Sequence, residues 1–254
     1  MPRSLRECKN QRKITVITAY DYPTAQVLSK AGVDVLLVGD SLGMVVYGDT
    51  TTHFVTLEEM IRHTMAVMRG HTSGLVVADL PKSSYDTVEM AMESARKLTA
   101  ETGVKVLKIE GCPEICEALV EAGFEVMGHT GLKPQETSKM KVKGRSQSEA
   151  EEVLKEAQAL EAAGCLAVVL ECIPSELAQK VTEKLKVPTI GIGAGPHCDG
   201  QVLVVSDLMG LYSDFQPKFV KRYAEMGDIM QAAAEKFKSE VESGIFPSHD
   251  QSYK

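Results

Sequence analysis

The sequence predicts a closed (β/α)8 TIM barrel with a parallel eight-stranded core. Three observations carry that reading. Apolar runs of strand length stop abruptly at a charged, small polar or glycine residue in VDVLLVGDS, GLVVADL, VKVLKIEG, FEVMGHTG, CLAVVLEC and VPTIGIGAG. Helix-like stretches separate these runs, and strict alternation of strand and helix calls for a parallel sheet rather than separate layers. The runs are apolar on both faces, as expected of strands covered on both sides. The length of 254 residues fits the roughly 250 of one such barrel. In this architecture the C-terminal ends of the strands converge, so residues distant in the chain share one pocket.

Each element follows in order. The first strand is ITVITAY, about 14–20, and a helix over about 22–31 stops at Gly32. The second strand, about 34–40, leads into a long glycine- and threonine-rich loop, SLGMVVYGDTTTHFVT. Loops of that length in compact domains usually bind or cover something. Thr56, with Glu59 three residues on, reads as a capping box that starts the next helix. A third strand spans about 75–80 and Pro81 ends it. A helix over about 86–102, a strand over about 104–110, a helix over about 113–122 and a strand over about 124–129 come next. TGLKPQETSKMKVKGRSQ forms a second long loop before a helix at about 147–163 and a strand at about 165–172. Pro174 opens a helix where its missing N–H is no loss. Strands at about 188–193 and 201–207 complete the barrel, and an amphipathic helix over roughly 217–242 closes a single-domain chain.

Composition excludes several function classes. A net charge of −7 with scattered Lys and Arg argues against a nucleic-acid surface. No apolar segment is long enough to span a membrane, and MPRSLRECKNQRK lacks the apolar core of a signal peptide. A cytoplasmic location follows as the expectation. Cys8, Cys112, Cys116, Cys165, Cys172 and Cys198 show no paired C-x-x-C spacing and read as reduced thiols.

Asp40, Asp79 and Glu110 end three successive strands. In a barrel these ends are neighbours, and three clustered carboxylates repel unless a cation joins them. Hard oxygen ligands suit Mg²⁺. Taken singly, each acid reads equally well as a helix cap. Lys108 lies two residues before Glu110, so both side chains share a strand face. It fits pairing with a substrate carboxylate or enolate oxygen, a Schiff base, or a buried ion pair with Asp79 or Glu110. Glu171 ends an apolar strand across the barrel, where partial desolvation favours its neutral form and suits it to act as a general base. A helix cap is the alternative. His129, in GHTG, is a candidate substrate contact or a satisfied structural residue. Gly191 to Gly195 occupy a position that binds phosphate in many barrels, although glycines there also serve a tight turn.

The stretches ITAYDYPTA (17–25), LLVGDSLGMVVYG (36–48), VVADLP (76–81), VLKIEG (106–111), GHTGLKPQ (128–135), KVKGR (141–145), LECIP (170–174) and PTIGIGAGPHCDGQVLV (188–204) resemble, in order and across nearly the whole chain, the ketopantoate hydroxymethyltransferase family. The resemblance implies a (β/α)8 barrel that transfers a one-carbon unit from 5,10-methylenetetrahydrofolate to 3-methyl-2-oxobutanoate, giving 2-dehydropantoate on the route to pantothenate. It implies Mg²⁺ at Asp40, Asp79 and Glu110, ketoacid contacts at Asp40, Ser41, Asp79 and Lys108, a general base at Glu171, and a homodecamer. Four departures lie in rim loops, outside the metal and base set. Lys82 stands where the family usually has an aromatic, Phe54 in the place of a Pro, and Lys133 in the place of a Thr. The loop from Glu136 to Lys141 is short. These bear on the folate contacts and on loop closure. The alternatives are an Mg²⁺-dependent carbon–carbon lyase or mutase of the phosphoenolpyruvate or isocitrate lyase type, and a ketoacid-binding barrel without turnover.

Overall fold

The computed structural model describes residues 5–137, 141–211 and 217–253. Eight parallel strands close into a barrel in chain order. They are β1 (Ile14–Thr18), β2 (Val35–Val38), β3 (Leu75–Asp79), β4 (Val106–Glu110), β5 (Glu125–Gly131), β6 (Ala167–Glu171), β7 (Thr189–Ile192) and β8 (Gly200–Leu203). β8 returns to β1 with Ile14 opposite Gly200. The helix α1 (Tyr22–Lys30) follows β1, and α2 (Leu42–Val45) with α3 (Leu57–Gly70) follow β2. α4 (Val88–Thr102), α5 (Pro113–Glu121), α6 (Gln147–Ala162) and α7 (Ser175–Lys184) follow β3 to β6. The long loop after β2 therefore holds a short helix and a 3₁₀ turn at Thr52–Phe54. The alternation breaks once: residues 193–199 join β7 to β8 without a helix.

Local chemistry sets the helix starts. The Asp21 side chain accepts from Thr24 N, Thr87 from Met90 N and Ser146 from Glu149 N. Thr56 and Glu59 form the expected capping box. None of the strand-end acids caps a helix, which removes the alternative left open for each of them.

The chain divides into two compact units, Met1–Val204 and Val205–Lys254, where the sequence suggested one barrel domain carrying a terminal helix. The second unit contains α8 (Val205–Leu208) and α9 (Met226–Glu242). The eighth strand stops at Leu203 because Val205 already accepts a helical bond from Met209 N. The last helix starts at Met226 rather than near 217. Upstream of it Tyr223 N and Met226 N donate to the Leu208 and Met209 carbonyls, not along a helix. No residue of α9 is buried, and Ile229, Met230, Phe237 and Val241 are exposed.

The barrel interior is filled by Val16, Val35, Leu37, Val77, Val106, Met127, Ala167, Val169, Ile190 and Val202. Side chains alternate across a strand. The inward column above Val77 therefore continues to Asp79, that above Val106 to Lys108 and Glu110, that above Met127 to His129, and that above Val169 to Glu171. A packed apolar floor carries a polar ceiling.

Asp34 ties the opposite end. Its carboxylate accepts from Thr15 N and Oγ1, both at 2.9 Å, and from both terminal nitrogens of Arg12 at 2.8 and 2.6 Å. Burial alone would raise its proton affinity, but Arg12 and Thr15 outweigh it and hold the carboxyl below its usual range. Its contribution is thus present above the unfolded value and fades as pH falls through the lower folded one. Asp34→Ala is expected to lose about 2–3 kcal/mol in urea unfolding at neutral pH, the scale of hydrogen bonds to a charged group. The gap to the parent narrows below about pH 4. Coincident unfolding curves at neutral pH would refute this role.

Candidate active site

The pairing register brings ionisable side chains together. Asp79 lies opposite Lys108, and Glu110 opposite His129. Lys108 Nζ is 3.1 Å from Asp79 Oδ1. His129 stands between two carboxylates, with Nδ1 3.3 Å from Glu110 Oε1 and Nε2 3.4 Å from Glu171 Oε2. Neither approach has hydrogen-bond alignment, so both are charge contacts. Asp40, just past β2, donates its backbone N–H to Asp79 Oδ2 at 3.2 Å. Ser41 Oγ and the Tyr20 hydroxyl share a hydrogen bond of 2.8 Å. Gly131, at the end of β5 with φ +96°, has no room for a side chain: a Cβ there would lie 2.3 Å from the Glu171 carbonyl. That close approach lets Leu132 N donate to the same carbonyl at 2.9 Å, so the loop after β5 turns back across the mouth.

Burial sets the charges. Asp40 is 5% exposed and Asp79 2%. Desolvation, then the neighbouring carboxylates Asp79 and Glu110, push the Asp40 carboxyl well above its ordinary value. Desolvation also raises Asp79, against the pull of Lys108. Burial alone would strip Lys108 of its proton, but Asp79, Glu110 and Asp40 outweigh it and hold the ammonium charged. His129 shows the same contest. Burial lowers it, yet Glu110 and Glu171 bring it up to about 9, so it is an imidazolium at neutral pH. Glu110, in turn, is held below its usual value against desolvation by His129, Lys108 and the Gln135 N–H.

His129 is buried between two carboxylates, and neither ring nitrogen has an aligned hydrogen-bond partner. The three acids also differ in kind. Among the described residues no group of three or more His, Cys, Asp or Glu is disposed to hold one metal ion. Glu110 is already engaged, by His129 at Oε1 and by Gln135 N at Oε2, 3.0 Å away. Asp79 Oδ1, by contrast, is buried without an aligned hydrogen-bond donor, and Asp40 beside it is the acid least able to ionise alone. Two carboxylates with unmet demand suit Mg²⁺, which binds through one or two carboxylates and keeps several waters. The charge count agrees. Among the described residues, Asp40, Asp79, Glu110 and Glu171 face the cations Lys108 and His129, leaving an excess equal to one divalent cation.

Gln135 was not legible as a site residue, because glutamine carries no titratable signature. It is 4% exposed and lies across Asp40, Leu80, Tyr85 and Glu110. The glycines after β7 serve packing: a Cβ at Gly195 would meet the Ser175 side chain at 2.2 Å. Phe54 and Lys82 are exposed and line a rim groove of about 470 Å³. Lys133 pairs with Glu136 and Glu156 at 2.9 Å each. Residues 138–140 of the short loop lie outside the described residues.

A closed barrel with carboxylates, an ammonium and an imidazolium gathered at its strand C-termini is the arrangement of a barrel enzyme. The chain belongs to the ketopantoate hydroxymethyltransferase family, whose profile matches residues 2–249. It is 50% identical to a 3-methyl-2-oxobutanoate hydroxymethyltransferase of Thermus thermophilus over 99% of this chain and 98% of that one. It is 50% identical to that of Moorella thermoacetica, covering 95% and 93%. Family membership makes it an enzyme of this type, serving hydroxymethyl transfer in pantothenate biosynthesis. Its fold is shared with 2,3-dimethylmalate lyase, at TM-score 0.62, 18% identity and coverage of 98% and 90%. It is shared also with phosphoenolpyruvate phosphomutase from Streptomyces platensis subsp. rosaceus, at TM-score 0.63, 17% identity and coverage of 94% and 87%.

A charged, ion-paired Lys108 is no nucleophile. Borohydride added with 3-methyl-2-oxobutanoate is expected to trap no adduct on it by intact-mass spectrometry. A stoichiometric reduced imine at Lys108 would move the enzyme to the Schiff-base class.

Proposed function

We propose that the protein transfers the one-carbon unit of 5,10-methylenetetrahydrofolate to C3 of 3-methyl-2-oxobutanoate in an Mg²⁺-dependent reaction. Water supplies the hydroxyl group, and the products are 2-dehydropantoate and tetrahydrofolate. The carrying observation is the division of the mouth into an Asp40–Asp79–Lys108 side with unmet negative charge and a Glu171 side that holds a carboxylate partly open to solvent.

When bound at Asp40 and Asp79, Mg²⁺ supplies Lewis-acid polarisation of the ketoacid's carbonyl. Glu110, whose oxygens face His129 and the Gln135 N–H, would add its negative charge to the same site. Lys108 holds negative charge on the substrate oxygens and stabilises it as it grows during deprotonation. Ser41, tied to Tyr20, offers its hydroxyl to the substrate carboxylate. Glu171, with its side chain 19% exposed, removes the C3 proton, and the carbanion attacks the donor's methylene carbon. His129 holds Glu171 in place as its cationic neighbour. Phe54 and Lys82 put an aromatic face and a cation at the rim, chemistry that suits the aryl and carboxylate groups of a folate. We read the protein as cytoplasmic and homo-oligomeric, with a decamer as the working assignment. Two facts support this: among the described residues no helix is long and apolar enough to cross a membrane, and α9 exposes an apolar stripe.

A lyase with a cysteine in the reaction gains no support from the site. The Cys172 thiol, next to Glu171, is pushed up to about 11 by burial and by that carboxylate, so it is protonated at neutral pH.

Deuterium exchange at C3 of 3-methyl-2-oxobutanoate separates the half-reactions. Exchange is expected without folate and lost with EDTA, and product is expected only with the folate donor. Glu171→Gln keeps the shape but not the proton acceptor. Exchange is expected to fall about 10²-fold or more, the scale of general-base catalysis, with ketoacid affinity little changed. Near-parental exchange in that variant would place the base elsewhere. Exchange without folate-dependent product would favour a lyase or a paralogue lacking the transfer step.

A further inference from the structure

Gln135, a neutral amide, is hydrogen-bonded at the mouth through its backbone and through both polar atoms of its side chain. Gln135 Nε2 donates to Asp40 Oδ2 at 2.8 Å and to the Leu80 carbonyl at 3.0 Å. Its Oε1 accepts from the Tyr85 hydroxyl. Its backbone N–H donates to Glu110 Oε2 at 3.0 Å. Both amide hydrogens and the amide oxygen are therefore committed. The orientation is unambiguous, because a flipped amide would set its oxygen against a carboxylate and a carbonyl. Burying a polar side chain of this size is costly unless it is satisfied, and here every atom is.

The loop bearing Gln135 is anchored on several sides of the mouth. Leu132 N is bonded to the Glu171 carbonyl on β6. The Pro134 carbonyl accepts from His53 Nε2 at 2.9 Å, reaching the loop after β2. Lys133 is bound to Glu156 on α6. Gln135 is thus held rigidly over two of the three acids, and its amide occupies one oxygen of Asp40 and leaves Oδ1 for another partner.

We infer that Gln135 is the positioning residue of the divalent-cation site, fixing which oxygens of Asp40 and Glu110 face the ion. The inference rests on the Mg²⁺ reading above. By donating to Oδ2, the amide holds the Asp40 carboxylate in one rotamer. By donating to Glu110 Oε2, the backbone fixes the orientation that this carboxylate would present to the ion. Partners of this kind are worth about 10- to 100-fold in metal affinity. Tyr85 sits one step further out and holds the Gln135 amide by its oxygen.

The test is Mn²⁺ binding to the full-length, EDTA-stripped and dialysed protein, followed by electron paramagnetic resonance. Gln135→Met keeps the length and removes the amide. Tyr85→Phe removes a single hydroxyl and keeps the protein foldable should the Met variant fail. Mn²⁺ affinity is expected to fall at least about 10-fold in Gln135→Met and about threefold in Tyr85→Phe, the scale of one neutral hydrogen bond. Circular dichroism and melting curves verify the fold. In the C3 exchange assay the Mg²⁺ concentration for half-activation should rise by a similar factor, while the rate at saturating Mg²⁺ returns close to the parent's. A merely structural residue would not separate the two. Parental Mn²⁺ affinity in the folded variants would overturn the inference and leave the cation reading standing. A parent protein that binds no Mn²⁺ at millimolar concentration would overturn both.

Discussion

Among the described residues, four carboxylates, one ammonium and one imidazolium share the barrel mouth, and none of the buried ones is stable there as an isolated charge. An ion in such a place must be paired and hydrogen-bonded or it neutralises. The arrangement answers this by alternation. Asp79 faces Lys108, and His129 lies between Glu110 and Glu171. Lys108 and His129 are cations because the acids surround them, and Glu110 stays ionised because they are cations. Asp40 alone lacks a cationic partner in direct contact and is driven furthest toward its neutral form. The negative charge of the site is therefore least compensated at one defined corner, the corner at which the proposed Mg²⁺ would supply the balancing charge.

The scaffold makes this possible through the period of the strands. Val77, Val106, Met127 and Val169 pack the barrel centre, and one or two steps of two residues further on the same inward columns carry Asp79, Lys108, Glu110, His129 and Glu171. Slipping any of these strands by one residue would exchange the column for its outward neighbours. The apolar floor thus specifies the register of the site above it. Asp34 braces β1 against β2 at the other end, far from the chemistry. The loop after β5 then closes the top, and Gly131 lets it pass within contact of the Glu171 carbonyl.

Much of this was legible in the sequence, for identifiable reasons. Apolar runs ending in a charge gave the strands and the rim, and the capping box at Thr56 gave the start of α3. Strand parity put Lys108 and Glu110 on one face. What parity cannot give is who pairs with whom, and there the sequence fell short. The place of His129 between two carboxylates is hidden because those neighbours come from different strands. The engagement of Glu110 by His129 and the Gln135 backbone is hidden because a loop fold sets it. Gln135 was invisible because a neutral amide gains importance only from its surroundings. At the chain's end the amphipathic pattern ran past the true helix start, since bonds from Tyr223 and Met226 to α8 outweigh local propensity.

The fold by itself does not select the chemistry, for the same barrel supports lyases and mutases at similar TM-scores. The selection lies in what stands beside Glu171. A base for a weakly acidic C–H must be ionised before the step and must tolerate a proton after it. In the reaction proposed above, His129 is the cationic neighbour of that base, 3.4 Å from Glu171 Oε2. When Glu171 takes a proton, the ring would keep Glu110 as its counterion. Glu110 and Glu171 are in this way coupled through one buried ring, and in the proposed step the negative charge lost at Glu171 would reappear on a substrate oxygen held by Lys108. The mouth would then conserve its charge through the step, and buried ion pairs such as Asp79 with Lys108 depend on that balance.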